Sequence, residues 1–244
     1  MKSGLFALAL TLAVLGQTTQ AFEAVSIHEN PGPWHVLVGY APSGPRLTLE
    51  GWRIINLVEE AYSLKQYQIT LPRGANDIVF NIVAKAEGNS ERSKSEFRPL
   101  LQTMLEERFH LKFHHEQREM PVYALVIGKG GPKFHESAPE TVFKSNHGVN
   151  GRNQYMDLTQ ATMQMVADGI GGLDRPVIDK TGLTGKYDIR LEATPEFRIN
   201  PNNPQPSDLR VFDAIQQQLG LKLEARKESL EVMVVDHVEI PSGN

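Results

Sequence analysis

Histidine is concentrated in one short stretch of the sequence, where His110, His114 and His115 are followed by Glu116. Imidazole nitrogens and carboxylates are ligands that zinc prefers, so a metal centre is the first chemistry to consider. Because side chains alternate along a strand, His114 and His115 are predicted to point to opposite faces, and His110 lies at the end of the preceding predicted helix. No HExxH motif is present. The spacing therefore predicts neither a metal site nor a cofactor.

The segment DKTGLTGKYD places a second group of polar residues in a glycine-rich turn. Its glycines lack the spacing of a phosphate-binding loop, and Lys180 interrupts the Asp-Thr-Gly triplet of aspartic proteases. In such a turn the aspartate can accept hydrogen bonds from nearby backbone N–H groups while glycine supplies positive φ. The segment is predicted to be a structural turn, and it is also the first candidate for ligand binding. The candidate binding residues in it are Asp179, Lys180, Thr181, Gly182 and Tyr187.

Two further candidate binding residues, Asp236 and His237, lie on the last predicted strand. A histidine near a carboxylate can transfer protons, but covalent catalysis also needs a nucleophile, and no GxSxG motif is present. No catalytic residue is therefore predicted. A surface strand end is one interpretation. A hydrolase remains an alternative hypothesis, in which Asp179 and Lys180 meet Asp236 and His237 across a cleft at strand ends.

The histidines belong to residues 93–128, which predict a helix followed by a β-hairpin. Ser93 and Glu96 have the spacing of a capping box, and the apolar residues after them recur with a helical period. The period then changes to two, a polar turn is predicted at 118–119, and 122–127 is a continuous apolar run. One face of the helix and both faces of the last strand must therefore be buried.

The same pattern recurs at residues 211–238. When Leu111 is aligned with Leu221, apolar residues meet apolar residues almost throughout, although few pairs are identical. Duplication and two independent helix-hairpins both explain the pattern. The predicted fold is α+β, built from repeated helix plus β-hairpin units, with a mainly antiparallel sheet and helices packed on one face.

The predicted domain organisation is two lobes. The first helix-hairpin lobe spans 22–134, an exposed loop spans 135–154, and the second lobe spans 155–244. Other helices are predicted at 48–64, at 159–170 and from Ser207 to Leu219. A loop rich in proline and asparagine is predicted at 194–206.

Residues 1–21 have the features of a secretory signal peptide: Lys2, an apolar stretch and small residues up to Ala21. The apolar stretch is shorter than the roughly 20 residues that span a bilayer, so the mature chain is predicted to have no transmembrane segment. The sequence has no cysteine and a formal net charge of −4 without a basic block, which argues against disulfides and nucleic-acid binding. A periplasmic or extracellular location is predicted.

Five segments together resemble a bacterial family known as soil-associated proteins, an exported domain of unknown function. The segments are FEAVSIHEN, EAYSL with YQIT, LLQTMLEERFHLKFHHEQREMPVYALVIGKGGPK, RPVIDKTGLTGKYDIRLE and LGLKLEARKESLEVMVVDHVEIPS. The resemblance implies export, and some relatives look to be attached to membrane metallopeptidase sensors of the BlaR type. It carries no catalytic residues.

These observations favour an exported, non-enzymatic binding or interaction module of the bacterial cell envelope, with an envelope protein as its partner. This predicted function rests on the predicted signal peptide and on the lack of a convincing nucleophile, metal site or cofactor loop. An extracytoplasmic regulatory or sensor domain linked to a BlaR-type membrane peptidase is the alternative, and a hydrolase is a further one.

Overall fold

The computed structural model of the chain describes residues 20–30, 39–200, 202–203, 205 and 208–241. Helices are combined with sheets that are mostly antiparallel, so the predicted α+β class is confirmed. The chain divides into two compact units. Unit 1 contains the residues up to 116 together with those from 232 onward, and unit 2 contains 117–231.

Unit 1 is built on an antiparallel sheet in the order β1-β5-β3-β2. Its elements are β1 (Phe22–Glu29), β2 (Gly39–Ser43), β3 (Arg46–Trp52), α1 (Ile54–Tyr62), β4 (Ile69–Thr70), β5 (Phe80–Ala86), α2 (Lys94–Arg108) and the first part of β6 (Lys112–Ile127). Alternate residues of β3 and β5, among them Leu47, Leu49 and Ile82, are buried in the core of this unit. The helix predicted from residue 48 begins only at Ile54, because β3 continues to Trp52.

Helix α2 begins as its sequence predicts. The Ser93 N–H donates to the Glu96 carboxylate at 2.7 Å, which confirms the capping box. Phe97, Leu101 and Leu105 lie on one face of the helix and are fully buried. The helix therefore contributes its apolar face to the core of unit 1.

Unit 2 repeats the strand order of unit 1, with a sheet in the order β7-β11-β9-β8. Its elements are the second part of β6, β7 (His135–Glu136), β8 (Lys144–Asn150), β9 (Asn153–Ala161), α3 (Met163–Gly169), β10 (Val177–Asp179), β11 (Tyr187–Ala193), α4 (Val211–Ala214) with a π-helical turn (Ile215–Leu219), and the first part of β12 (Leu221–His237). In each unit, a helix follows the hairpin (β2–β3 or β8–β9), and a short strand that pairs in parallel comes after that helix. β4 pairs with Met233 and Val234 of β12, and β10 pairs with 123–125 of β6.

The predicted hairpins after α2 and α4 are wrong, because β6 and β12 are each one continuous strand. The predicted turn at 118–119 contains no glycine, proline or asparagine, so nothing in it favours a reversal of the chain. The division into units also differs from the predicted lobes 22–134 and 155–244. Each long strand starts in one unit and ends in the other, so the boundaries fall inside β6 and β12.

Three smaller corrections concern unit 2. The exposed loop predicted at 135–154 instead contains β7, β8 and the first residues of β9, although most side chains of β8 are exposed as predicted. The helix predicted at 159–170 begins at Met163, after Thr162, whose hydroxyl accepts from the Met165 N–H at 3.3 Å. The fourth helix begins at Val211.

Some predictions fall outside the described residues. These are the predicted cap at Ser207, part of the loop at 194–206, and the signal peptide at 1–21 except for Gln20 and Ala21. Within the part of the chain that the structure describes, no helix has both the length and the apolarity of a membrane span.

Candidate binding site

In unit 2, the turn after β10 is held by its own side chains. One oxygen of the Asp179 carboxylate accepts from the Thr181 N–H at 2.9 Å and from the Thr181 hydroxyl at 2.8 Å. The Leu183 N–H donates to the same hydroxyl at 3.2 Å. Gly182 has a φ of 71°, a conformation that costs glycine little. The structural interpretation of this turn is therefore confirmed.

The remaining candidates in the turn are also engaged within unit 2. The Lys180 ammonium lies 3.2 Å from Glu228, and its backbone N–H donates to the Leu125 carbonyl at 2.9 Å. Tyr187 is 6% exposed, its ring packs edge-on against Phe134, and its hydroxyl accepts from the Gly185 N–H at 3.3 Å. These contacts stabilise the turn and the unit 2 core.

In unit 1, the end of β12 carries surface pairs of histidine and carboxylate. His114 Nδ1 lies 2.9 Å from Asp236, and His237 Nε2 lies 2.7 Å from Glu239. About half of each of these side chains is exposed to solvent. The hydrogen bond from His237 holds the pKa of Glu239 below its ordinary value. Glu239, which was not among the sequence candidates, therefore belongs to the same pair as His237.

The hydrolase hypothesis requires Asp179 and His237 to act on one substrate. Asp179 belongs to unit 2 and His237 to unit 1, and each is held by a neighbour within its own unit. Among the described residues, no group of three histidine or carboxylate side chains is arranged to hold a metal ion. The candidates chosen from sequence thus form two local arrangements, one in each unit.

A cavity of about 480 Å³ lies in unit 2, away from the turn that the sequence singled out. Its walls come from β8, β9, β11, the segment after α3, the turn after β11 and the start of α4. The residues that line it are His147, Gly148, Val149, Gln154, Tyr155, Met156, Gly169, Ile170, Gly171, Gly172, Leu191, Ala193, Thr194, Pro195, Glu196, Phe197 and Val211. None of these residues is a candidate site residue from the sequence.

The floor of the cavity is one face of the unit 2 sheet. His147 pairs with Met156, and Met156 pairs with Leu191 on the other side. The next row consists of Val149, Gln154 and Ala193, also in direct register. Directly paired residues project from the same face of a sheet, so both rows face the cavity. Met156 and Leu191 are buried and make the deepest part of the floor apolar.

Two glycines leave room for neighbouring side chains of β9. A Cβ on Gly148 would lie 2.6 Å from the Tyr155 hydroxyl oxygen, and a Cβ on Gly169 would lie 2.7 Å from the Met156 sulfur. The Arg190 guanidinium lies over the Tyr155 ring, 5.1 Å from its centroid. The positions of Tyr155 and Met156 therefore depend on glycine at both sites.

The turn after β11 is fixed by a buried threonine. Thr194 is completely buried, its hydroxyl donates to Asn153 Oδ1 at 2.6 Å, and it accepts from the Leu209 N–H at 2.9 Å. Glu196 lies beyond it, with its carboxylate 3.8 Å from Arg210. The cavity thus combines an apolar floor with a polar rim on a well-anchored segment.

One sequence signal for this region is the Asn150-Gly151 dipeptide. Asn-Gly is the strongest short-range signal for a hairpin, and here Gly151 has a φ of 61° between β8 and β9. The strand before it was not predicted because 144–150 is polar and exposed. The cavity itself depends on register between β8, β9 and β11, which no local pattern specifies.

Comparison with known proteins gives one family. A family model described as a protein of unknown function (DUF3738) matches residues 55–238. The match runs from α1 to the residue after β12, and it includes every residue that lines the cavity. No curated protein and no solved structure matches the chain.

Proposed function

Because the chain belongs to the DUF3738 family of proteins of unknown function, we propose its role from the geometry of unit 2. The protein is an exported, non-enzymatic binding module of the bacterial cell envelope, and its cavity receives an apolar group of the ligand. The observation that carries this proposal is the cavity of about 480 Å³ with an apolar floor. Sites for small molecules and side chains commonly measure about 300–1,000 Å³.

The lining indicates what the cavity binds best. Met156, Ile170 and Leu191 offer buried apolar contacts, and each Å² of apolar surface removed from water contributes about 25 cal/mol. Glu196 and His147 lie among the lining residues and can orient a polar part of the ligand. A planar or branched apolar group attached to a polar chain suits this environment.

The arrangement of the other candidates supports binding rather than catalysis. Asp179 accepts hydrogen bonds that hold its own turn, and His237 is paired with Glu239 on an exposed strand end. Acid–base catalysis needs a group positioned against a bound substrate. Neither residue lines the cavity, so neither supplies such a group to it.

Export is part of the proposal, and it is supported by residues 1–21 and by the resemblance to soil-associated proteins. The first described strand begins at Phe22, directly after the predicted cleavage site. The same resemblance supports a second candidate function, a regulatory domain linked to a BlaR-type membrane peptidase. In that case, occupancy of the same cavity would be the signal that the domain transmits.

We also infer that units 1 and 2 derive from the duplication of one unit. The sheet orders β1-β5-β3-β2 and β7-β11-β9-β8 correspond strand by strand, and each sheet has a helix after its third strand in chain order. This repeat is larger than the helix and strand that the sequence aligned. The repeat supports a history in which one unit was duplicated and unit 2 then acquired the binding cavity.

The cavity can be tested with indole as an apolar probe and the mature protein from Phe22 onward. We expect methyl NMR signals of Met156, Ile170 and Leu191 to shift saturably as indole is added. Ala193→Phe places a phenyl ring over the floor, so it should weaken indole binding about tenfold or more.

Ala24→Phe is the matched control, because Ala24 lies on an exposed position of β1 in unit 1. Indole should bind this variant as it binds the unsubstituted protein. Shifts that do not saturate, or equal affinity for both variants, would contradict a binding role for the cavity.

A further inference from the structure

Strand β8 is an outer strand of the unit 2 sheet, and no strand of the described residues pairs with its free edge. It pairs with β9 from Lys144 to Asn150 without a register shift. Every side chain on it is exposed, and Gly148 is the single half-buried position. Alternate residues of such a strand direct N–H and C=O groups away from the sheet, where another strand can pair with them.

The other outer strands of the two antiparallel sheets carry features that block such pairing. β1 has a register shift between Phe22 and Ala24, β2 contains Pro42, and β7 is only two residues long. Bulges, proline and short length are the usual protections of a sheet edge. Among these described outer strands, β8 alone is long, regular and free of proline.

Exposed apolar side chains collect around this edge. Val142 and Phe143 directly precede β8 and are 73% and 48% exposed, and Val149 on the strand is 58% exposed. Phe197, at the mouth of the cavity, is 77% exposed. Exposed apolar side chains that cluster in this way mark interaction surfaces. A polar strand edge beside apolar side chains suits a peptide that is itself part apolar.

The cavity opens beside the same strand. His147 and Val149 project from the face of the sheet that forms the cavity floor. A chain paired with β8 would place every second side chain on that face, next to these two residues. Main-chain pairing and insertion of one side chain into the cavity are therefore geometrically compatible.

The charge of the edge favours an acidic partner. Residues 141–156 contain Lys144 and Arg152 and no carboxylate, although the whole chain has a formal net charge of −4. Arg152 is paired with Asp208 at 3.0 Å. No carboxylate of the described residues lies within ion-pair distance of Lys144, so it is available to a carboxylate on the added strand.

We propose that β8 binds an extended peptide segment of another protein as a fifth strand, with an apolar side chain of that segment in the cavity and an acidic residue beside Lys144. This proposal rests on the proposed function, since it names the ligand class of the same cavity. Main-chain hydrogen bonds supply affinity, and the cavity and Lys144 supply selectivity.

The test uses a fluorescein-labelled peptide of alternating threonine and phenylalanine, matched to β8 in length and ending in aspartate at both ends. Fluorescence anisotropy with the mature protein should show saturable binding. N-methylation of alternate peptide nitrogens removes the pairing donors and should weaken binding about tenfold or more. Replacing both aspartates by lysine should also weaken it.

On the protein, Val149→Glu puts a carboxylate at the cavity mouth, where it disfavours an apolar side chain and repels the terminal aspartates of the peptide, so we expect weaker peptide binding. Val83→Glu is the matched control, because Val83 is a similarly exposed strand valine in unit 1. That control should bind the peptide with unchanged affinity.

The outcomes separate the two proposals. If indole shifts the cavity methyl signals but the peptide does not bind, or binds equally when N-methylated, strand addition is overturned and the cavity function stands. If neither indole nor the peptide binds, both proposals fail. If the protein sediments as a dimer that Val149→Glu dissociates, the occupant of the edge is a second copy, and the proposal of a foreign peptide is overturned.

Discussion

Glu60 is a buried charge in the core of unit 1, with only 7% of its side chain exposed. Its carboxylate lies 2.5 Å from the Lys94 ammonium and 3.4 Å from Arg98 Nε, both on α2. Lys94 also lies over the Tyr40 ring, 5.0 Å from its centroid. A buried carboxylate is tolerated when such partners compensate for lost hydration. Glu60 therefore connects α1 to α2 and to β2.

Replacing Glu60 by Gln should lower the free energy of unfolding by about 1–2 kcal/mol, because the neutral amide loses two charge-assisted contacts whose cations are partly exposed. The substitution should also act on Tyr40. Burial, followed by the charge of Glu60, raises the pKa of Tyr40 to about 12. Without that charge the pKa should fall. Urea unfolding measures the first effect, and NMR titration of the Tyr40 ring measures the second.

Glu59→Gln is the matched control on the same helix. Burial raises the pKa of Glu59, so its charged form gains little from the folded state. We expect this variant to keep the stability of the parent protein and the pKa of Tyr40. Equal destabilisation by both substitutions would show that the Glu60 contacts have no special role.

At the scale of single residues, the sequence predicts the contacts that form between residues close together in the chain. The hydrogen bonds of Asp179 within its turn and the positive φ of Gly182 follow from a few adjacent residue types. The pairing of His114 with Asp236 does not, because the two residues are far apart in the chain. The cavity residues Met156 and Leu191 were missed for the same reason.

At the scale of elements, the start of α2 shows how a local signal becomes stability. Glu96 accepts from both the N–H and the hydroxyl of Ser93, each at 2.7 Å. Both hydrogen bonds lower the pKa of Glu96 from its ordinary value of 4.5, and the one from the hydroxyl has the larger effect. A carboxylate at a helix N-terminus also interacts favourably with the helix dipole.

Because the pKa of Glu96 is lowered on folding, its contribution to stability is present above pH 4.5 and is lost as the pH falls through the lowered value. Ser93→Ala removes the hydroxyl donor. The difference in urea midpoint between parent and variant should therefore be larger at neutral pH than in acid, below the lowered pKa.

Glu96→Gln is the control for this titration. The neutral amide of this variant does not titrate. The difference in urea midpoint between the parent and Glu96→Gln should therefore follow the same pH course as the difference between the parent and Ser93→Ala. A difference that is independent of pH for both variants would mean that Glu96 does not titrate with folding.

The sequence predicts whether a segment is a helix or a strand better than it predicts where that element ends. The long strands β6 and β12 were predicted as hairpins because polar residues interrupt their apolar runs, whereas both strands continue through exposed stretches. In β6, only Val122, Ala124 and Leu125 are buried. A strand can continue past the core when its backbone remains paired, and a pattern of burial does not show where it ends.

At the scale of the whole molecule, the two units could not be predicted from chain order. Unit 1 includes residues from 232 onward, and its short strand β4 pairs with Met233 and Val234. In unit 2, the short strand β10 likewise pairs with Tyr123 to Leu125 of β6. Pairings between such distant segments depend on the complete fold, whereas the α+β class follows from local periods.

The first described element of unit 1 is β1, which begins directly after the predicted cleavage site. Phe22 is the first residue of that strand, and its ring stacks on Phe97 of α2 with centroids 6.2 Å apart. The Thr103 hydroxyl donates to the Gln20 carbonyl at 2.8 Å but also to the Pro99 carbonyl at 3.2 Å. A cut after Ala21 would therefore leave Thr103 with the Pro99 carbonyl as a partner and would preserve the strand.

We accordingly expect the exported protein to have the mass of a chain that starts at Phe22, as measured by intact mass spectrometry of the periplasmic and medium fractions. Ala21→Arg places a large charged residue where the signal peptidase requires a small one, so the uncleaved chain should accumulate. Ala24→Arg lies beyond the cut and should be processed normally. A parent chain recovered from the cytoplasm with residues 1–21 intact would contradict export, and the ligand of unit 2 would then have to be sought inside the cell.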